Sequence, residues 1–278
     1  MTATTRRVLV LGHADVGKTT FLVQLHGRVK AGRGRLRPRG APTSLTPIEE
    51  GLRRLQQGVA VQHTAQGTDV TLELPASTKS GVAVDIVVPD YAGEDLRRVL
   101  LNRRLPERWR TEAAVADRWL LLVRLSKHPE LPDVLNRPIG ELARAPIENP
   151  GDDADALPAD MWAVELLQAL LYWREQTPGP RRPRPRMSLV LSCWDELDTT
   201  TPPVDAARDR LALLDSYCRA NWPPDRFDVV GLSSQGHPLD DDEPAEDYLN
   251  QGPQQMGWVV GPTGGTDSDL TLLVTDET

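Results

Sequence analysis

The sequence is poor in cysteine, with only Cys193 and Cys218 among 278 residues. Two cysteines cannot frame a disulfide-rich domain and show no metal-ligand spacing, so a reduced, cytosolic setting is expected. The histidines at 13, 26, 63, 128 and 237 are scattered rather than paired, which gives histidine metal chemistry no support. Long apolar runs are missing too. The run after MTATTRR is too short for a signal peptide, and no later stretch could cross a bilayer, so neither secretion by that route nor a membrane span is expected. An excess of positive charge is also lacking. A formal net charge of −8 argues against nucleic acid or an anionic membrane as partner, since such surfaces call for surplus Lys and Arg.

What the chain has in plenty is turn formers, 24 Pro and 21 Gly, which predict long insertions between regular elements. At 39% hydrophobic and 26% charged, it is otherwise ordinary for a globular protein of a size that buries a sizeable core. Charge is clustered. Arg28, Lys30, Arg33, Arg35, Arg37 and Arg39 make a basic stretch, and Asp240, Asp241, Asp242, Glu243, Glu246 and Asp247 an acidic one. Each reads as a solvated loop or as a contact for a partner or a phosphate.

Residues 8–11 form an apolar run suited to a strand buried on both faces, and a helical pattern begins after Gly17 with Phe21, Leu22 and Leu25 on one side. Residues 27–40, rich in Arg and Gly, are expected to be irregular, and 48–55 to be a short helix. Strand-like runs at 69–74 and 82–88 read as a hairpin around PASTKSG. A helix is expected over 96–105, a buried strand over 119–125, an irregular insertion over 126–158 and an amphipathic helix over 161–175. Then come a strand at 188–191, a helix at 204–221 and a strand at 227–232, with a final hairpin expected from 258–260 and 270–274. Strands alternating with helices predict a three-layer α/β domain with a mostly parallel sheet and long insertions. With no internal repeat and no strong boundary, one domain over 1–278 is expected.

GHADVGKT, comprising Gly12, His13, Ala14, Asp15, Val16, Gly17, Lys18 and Thr19, fits G-x-x-x-x-G-K-[ST]. The glycines let the backbone N–H groups face phosphate oxygens at the positive end of the next helix. Lys18 adds a point charge between phosphates, and Thr19, followed by Thr20, offers a hydroxyl to Mg²⁺. Asp90-Tyr91-Ala92-Gly93 follows an apolar strand, where a carboxylate can hold Mg²⁺ through water and the glycine N–H can meet a γ phosphate. Ser192-Cys193-Trp194-Asp195 ends another apolar strand. There a carboxylate can accept from guanine N1–H and its 2-amino group, a pair of donors that adenine lacks. Ser233-Ser234-Gln235 can offer backbone N–H to the base carbonyl.

These four elements, in this order and each at a strand end, resemble the P-loop GTPases of the Ras-like and translation-factor class over roughly residues 6–236. GHADVGKTT looks like a translation-factor phosphate loop and DYAGE like the DxAG of small GTPases. SCWDELD together with DYAGEDL is similar to bacterial double-GTPase domains of conflict systems. The resemblance implies a cytoplasmic GTP/GDP-binding switch with Mg²⁺ and a protein effector. It places Lys18 and Thr19 on phosphates and Mg²⁺, Asp90 and Gly93 at the γ phosphate, and Asp195 on guanine. It also implies a switch threonine that reaches Mg²⁺, for which Thr64 fits best and Thr46 second.

Two departures bear on activity. Ser192-Cys193 stands where the family has Asn-Lys, so the lysine stem that covers the base is missing. Glu94 stands where Gln or His is usual, and a carboxylate there can orient water but repels the γ phosphate. Slow GTP hydrolysis is therefore the expected activity, with Lys18, Glu94 and Thr64 as the residues nearest the chemistry. Arg97 and Arg98 read as a solvated helix face or as an arginine finger in cis, while Trp162, Trp173 and Trp194 read as packing residues. The alternatives are an ATP-dependent P-loop kinase or ATPase, which would leave Asp195 idle, and a nucleotide-bound interaction module that does not turn over.

Overall fold

The apolar run beyond Arg7 forms β1 (Arg6–Gly12), and its period of two feeds both sides of the sheet, Val8 and Val10 into one core and Leu9 and Leu11 into the other. This computed structural model describes residues 5–43, 45–61, 71–89, 105–127, 159–178 and 182–275. Nine strands make one sheet in the order β2-β3-β4-β1-β5-β6-β7-β8-β9. At its centre β4 (Ala83–Pro89), β1, β5 (Arg118–Arg124), β6 (Arg186–Ser192) and β7 (Phe227–Ser233) run parallel. β2 (Leu36–Pro38) and β3 (Thr71–Thr78) add antiparallel at one edge, and β8 (Trp258–Val260) and β9 (Thr266–Asp267) at the other. The central strands read as largely apolar runs because both of their faces are covered.

Helix α1 (Lys18–Lys30) covers one face with Phe21, Leu22 and Leu25, and α2 (Leu45–Gln56) packs on α1. The other face carries α3 (Glu107–Val115), α4 (Ala159–Gln176), α5 (Pro203–Arg210) and α6 (Ala212–Asn221), with Trp109, Trp119, Trp162 and Trp222 buried among them. The result is the three-layer α/β arrangement that alternating strands and helices predict. α7 (Glu246–Gln251) joins α2 through a smaller cluster that includes Leu52, Leu55 and Tyr248.

Several expectations need correction. The stretch 27–40 is not irregular throughout: α1 runs to Lys30, and Leu36–Pro38 is an edge strand. Nor is its basic charge simply solvated. Arg28 is 5% exposed and donates to the carbonyls of Met256, Gly257 and Ser268, while Arg39 pairs with Asp85. Pro75 to Thr78 belong to β3 rather than to the turn. The helix expected over 204–221 is two, broken at Leu211 (φ −131°, ψ 46°), whose side chain is buried. Asp160 on α4 starts the second by accepting from Leu213 and Leu214 N–H. β8 turns back into β9 rather than into 270–274, which forms a 3-10 turn with Leu270, Leu273 and Val274 in the α1-side core. Apart from Leu105, the helix expected over 96–105 lies outside the described residues, as does the insertion beyond Lys127 up to 158.

Candidate nucleotide-binding site

β4, β1, β5, β6 and β7 all end at one edge of the sheet, and β1 sits between β4 and β5, where the strand order reverses. The crevice at such a reversal is where open α/β sheets receive ligands. The loop from Gly12 to Gly17 fills that position. A Cβ on Gly12 (φ 150°) would lie 2.7 Å from Leu122 O, so only glycine fits against β5. Asp15 (φ 59°) and Gly17 (φ 78°) turn left-handed before α1 begins. Val16 is buried and Ala14 half-buried.

Lys18 is buried and folds back over this loop, its Nζ donating to Gly12 O at 3.0 Å and His13 O at 2.6 Å. No side chain caps α1 and no acidic residue stands in its first turn, which leaves that end of the helix dipole without an anionic cap from the helix itself. Thr19 and Thr20 follow, half-buried. Burial, reinforced by the Lys18 charge, holds the His13 imidazole below its ordinary range and therefore neutral at pH 7; its ring lies 5.7 Å from that of Trp162. The curled N–H groups, the ammonium and the Thr19 hydroxyl are a donor and ligand set that fits a phosphate chain carrying Mg²⁺.

Beyond β6, Ser192 Oγ is buried without a hydrogen-bond partner among the described residues. Cys193 turns left-handed (φ 51°), and burial pushes its thiol up to about 12, so it is neutral. A methyl on Gly17 would lie 3.8 Å from Cys193 Sγ, which puts this cysteine against the phosphate loop. Trp194 packs beneath its own loop, against Gly231 of β7. Asp195, in the 3-10 turn Trp194–Glu196, is left partly exposed. At the end of β7, Ser233 is fully buried and its hydroxyl accepts from Gly236 N–H at 2.8 Å, while Ser234 and Gln235 stay half-buried. The Gln235 carbonyl accepts from Tyr248 Oη at 2.6 Å.

The fold thus gathers residues 12–20, Ser192, Cys193, Asp195, Ser233 and Ser234 at one sheet edge. Thr64, Asp90, Gly93, Glu94, Arg97 and Arg98 lie outside the described residues. Thr46 falls in the first turn of α2. Three neighbours of the site carry charge that motif spacing does not flag. Arg124 ends β5, donating from Nη1 to Asp15 O at 3.0 Å and from Nε to Glu196 at 2.8 Å. Glu196 follows Asp195 and also accepts from Ser126 Oγ. Burial alone would raise the Glu196 carboxyl, but these hydrogen bonds bring it below its ordinary range. The third, His237, sits two residues past Gln235 and bonds Pro238 O at 2.9 Å and Asp247 Oδ2 at 2.8 Å.

A family model of the Double-GTPase 1 domain matches residues 9–276. The chain belongs to the Double-GTPase 1 family. No curated protein sequence matched it. Among solved structures, this Double-GTPase 1 chain is distantly similar to a bacterial selenocysteine-specific elongation factor, EF-Sec, at 10% identity and a TM-score of 0.39. That match covers 83% of this chain but only 26% of the elongation factor. It is also similar to the Arl6 BBS3 small GTPase from Trypanosoma brucei with bound GppNp (12% identity, TM-score 0.40, 83% of this chain and 88% of that one). A third match is the mammalian SRP receptor (13% identity, TM-score 0.38, 82% and 92%). No helix among the described residues of the Double-GTPase 1 chain is long and apolar enough to cross a membrane.

Proposed function

We propose that this chain is a GTP-binding switch that hydrolyses GTP slowly and changes its affinity for a protein effector between the two nucleotide states. The observation that carries the reading is Lys18, buried over a left-handed glycine loop at the sheet's order reversal, with Asp195 presented at the same edge. Lys18 would hold the β and γ phosphates and the N–H groups of residues 13–19 would cradle them. Thr19 with Asp90 would hold Mg²⁺, which when bound neutralises phosphate charge. Gly93 would meet the γ phosphate, and Thr64 would close on it in the GTP state.

Asp195 would accept from guanine N1–H and the 2-amino group, and the backbone of Ser233 and Ser234 would face the base carbonyl. Nothing in this set forms a covalent bond to phosphate. Rate acceleration would come from positioning and charge, with turnover on the order of 10⁻⁴ to 10⁻² per second without help, because Glu94 replaces a water-orienting amide. Denaturing the purified protein and identifying the released nucleotide by chromatography tests the reading. Guanine nucleotide supports it. Adenine nucleotide would favour the kinase or ATPase alternative, and protein that neither carries nor takes up a nucleotide would remove the switch altogether. Single-turnover GTP hydrolysis then separates a slow enzyme from a module that does not turn over.

A further inference from the structure

Asp15 and Cys193 are the only non-glycine residues with left-handed backbone among the described residues. One lies in the phosphate loop and the other in the base-side loop after β6. Non-glycine residues stay in that region only where surrounding contacts over-determine them. The Arg124 side chain bonds to both loops. Arg124, at the end of the strand between β1 and β6, donates from Nη1 to Asp15 O at 3.0 Å and forks onto Glu196 from Nε, at 2.8 Å, and Nη2.

The fork is closed in: the side chains of Arg124 and Glu196 are 21% and 20% exposed. Ser126 Oγ donates to the same carboxylate, and Lys127 Nζ lies 3.7 Å from Asp15 Oδ2. Two parallel N–H···O bonds fix a guanidinium in plane as well as in distance, so the third bond, to Asp15 O, is aimed rather than incidental. Position 193 offers no cation for this job, because its thiol is neutral and packed against Gly17.

We infer that Arg124 is a positioning residue that locks the phosphate loop to the Asp195 loop, so that base recognition and phosphate binding are set by one guanidinium held by Glu196. The inference rests on the guanine-binding reading above and adds to it the element that sets base discrimination. Asp195 is the neighbour of Glu196 in a 3-10 turn, so freeing Glu196 frees the carboxylate that reads the base. Freeing the Asp15 carbonyl loosens the phosphate loop at the same time.

The test uses the full chain and compares dissociation constants for GDP and IDP, which lacks the 2-amino group, by competition with a fluorescent GDP analogue. The parent should prefer GDP. Arg124→Gln should lose about tenfold in GDP affinity and bring the GDP to IDP ratio toward one, with Arg124→Lys intermediate. The double variant Arg124→Gln, Glu196→Gln should be no worse than Arg124→Gln alone, since both act through one lock. Equal losses for GDP and IDP, leaving the ratio as in the parent, would reduce Arg124 to a structural staple and overturn the inference. If Arg124→Gln does not fold, Glu196→Gln alone is read the same way, and an unchanged ratio there overturns it as well. A parent that binds neither nucleotide, or both equally, brings down the guanine-binding reading and this inference together. A parent that prefers GDP while the variants keep its ratio brings down this inference only.

Discussion

Gly231 of β7 lies directly against the Trp194 indole: a methyl at its Cβ position would come within 2.7 Å of Trp194 Cδ2 and 3.0 Å of Cε3. The strand gives up a side chain there so that the ring can fill the space beneath the loop that carries Asp195. Gly231→Ala should therefore overpack the site, costing about 1–3 kcal/mol of stability. Thermal unfolding checks the cost. Because the displaced ring adjoins Asp195, GDP affinity should fall as well, and a variant with parental melting temperature would refute the packing argument.

Lys18→Ala removes the ammonium that lies over Gly12 O and His13 O. A hydrogen-bonded charge of this kind is worth enough that nucleotide affinity should drop on the order of 10- to 100-fold or more. Circular dichroism should be unchanged, because the lysine caps a loop rather than filling a core. Parental GTP affinity in this variant would reject the phosphate-loop assignment.

Asp195→Asn exchanges a carboxylate, which only accepts, for an amide that also donates. Guanine presents an amino group where xanthine presents a carbonyl. The variant should lose GTP affinity and gain in preference for xanthosine triphosphate, measured as a ratio of two dissociation constants. An unmoved ratio would take the base-reading role away from Asp195.

His237 gives the site end a pH signature. Its two ring nitrogens lie against Pro238 O and Asp247 Oδ2, an arrangement that favours the doubly protonated ring. The Pro238 carbonyl, working against partial burial, raises its pKa above the usual 6.5, helped by the charges of Asp247 and Asp195; the Tyr248 ring lies against it. A raised histidine contributes stability that is fully present below pH 6.5 and is lost as pH rises through the folded-state value. Asp247, lowered by its hydrogen bond to His237, contributes in the opposite sense, losing its share only as pH falls below the usual carboxylate range. Melting temperature should thus fall between pH 6 and 8.5 by more in the parent than in His237→Gln. Parallel curves would show that the pair is not coupled to folding.

The parallel strands and the phosphate loop were legible because burial on both faces forces largely apolar runs, and because tight curling demands glycine at Gly12 and Gly17. The break at Leu211 was not, since no glycine or proline marks it and the cap on the second helix comes from Asp160, more than fifty residues earlier in the chain. The partner of β8 could have been found: Gly264 and Gly265 mark a tight return to Thr266, whereas the apolar run 270–274 draws the eye past it. Within the site, Arg124 and Glu196 escaped notice because each looks like an ordinary strand-end or loop charge. Their meaning lies in a pairing across 72 residues that no local pattern records.

Arg28 makes the distant end of the chain part of the phosphate loop's foundation. Its guanidinium, on the helix that begins at Lys18, is nearly shut away from water, and its two terminal nitrogens donate to the backbone carbonyls of Met256, Gly257 and Ser268. Cutting the chain between residues 236 and 255 would leave the segment that carries these acceptors held only by its packing and by β8, and its release would leave a bare cation inside the protein. A clip more than two hundred residues beyond Lys18 would then act like a point mutation in the helix that follows the phosphate loop, and bound nucleotide should slow such a clip in return.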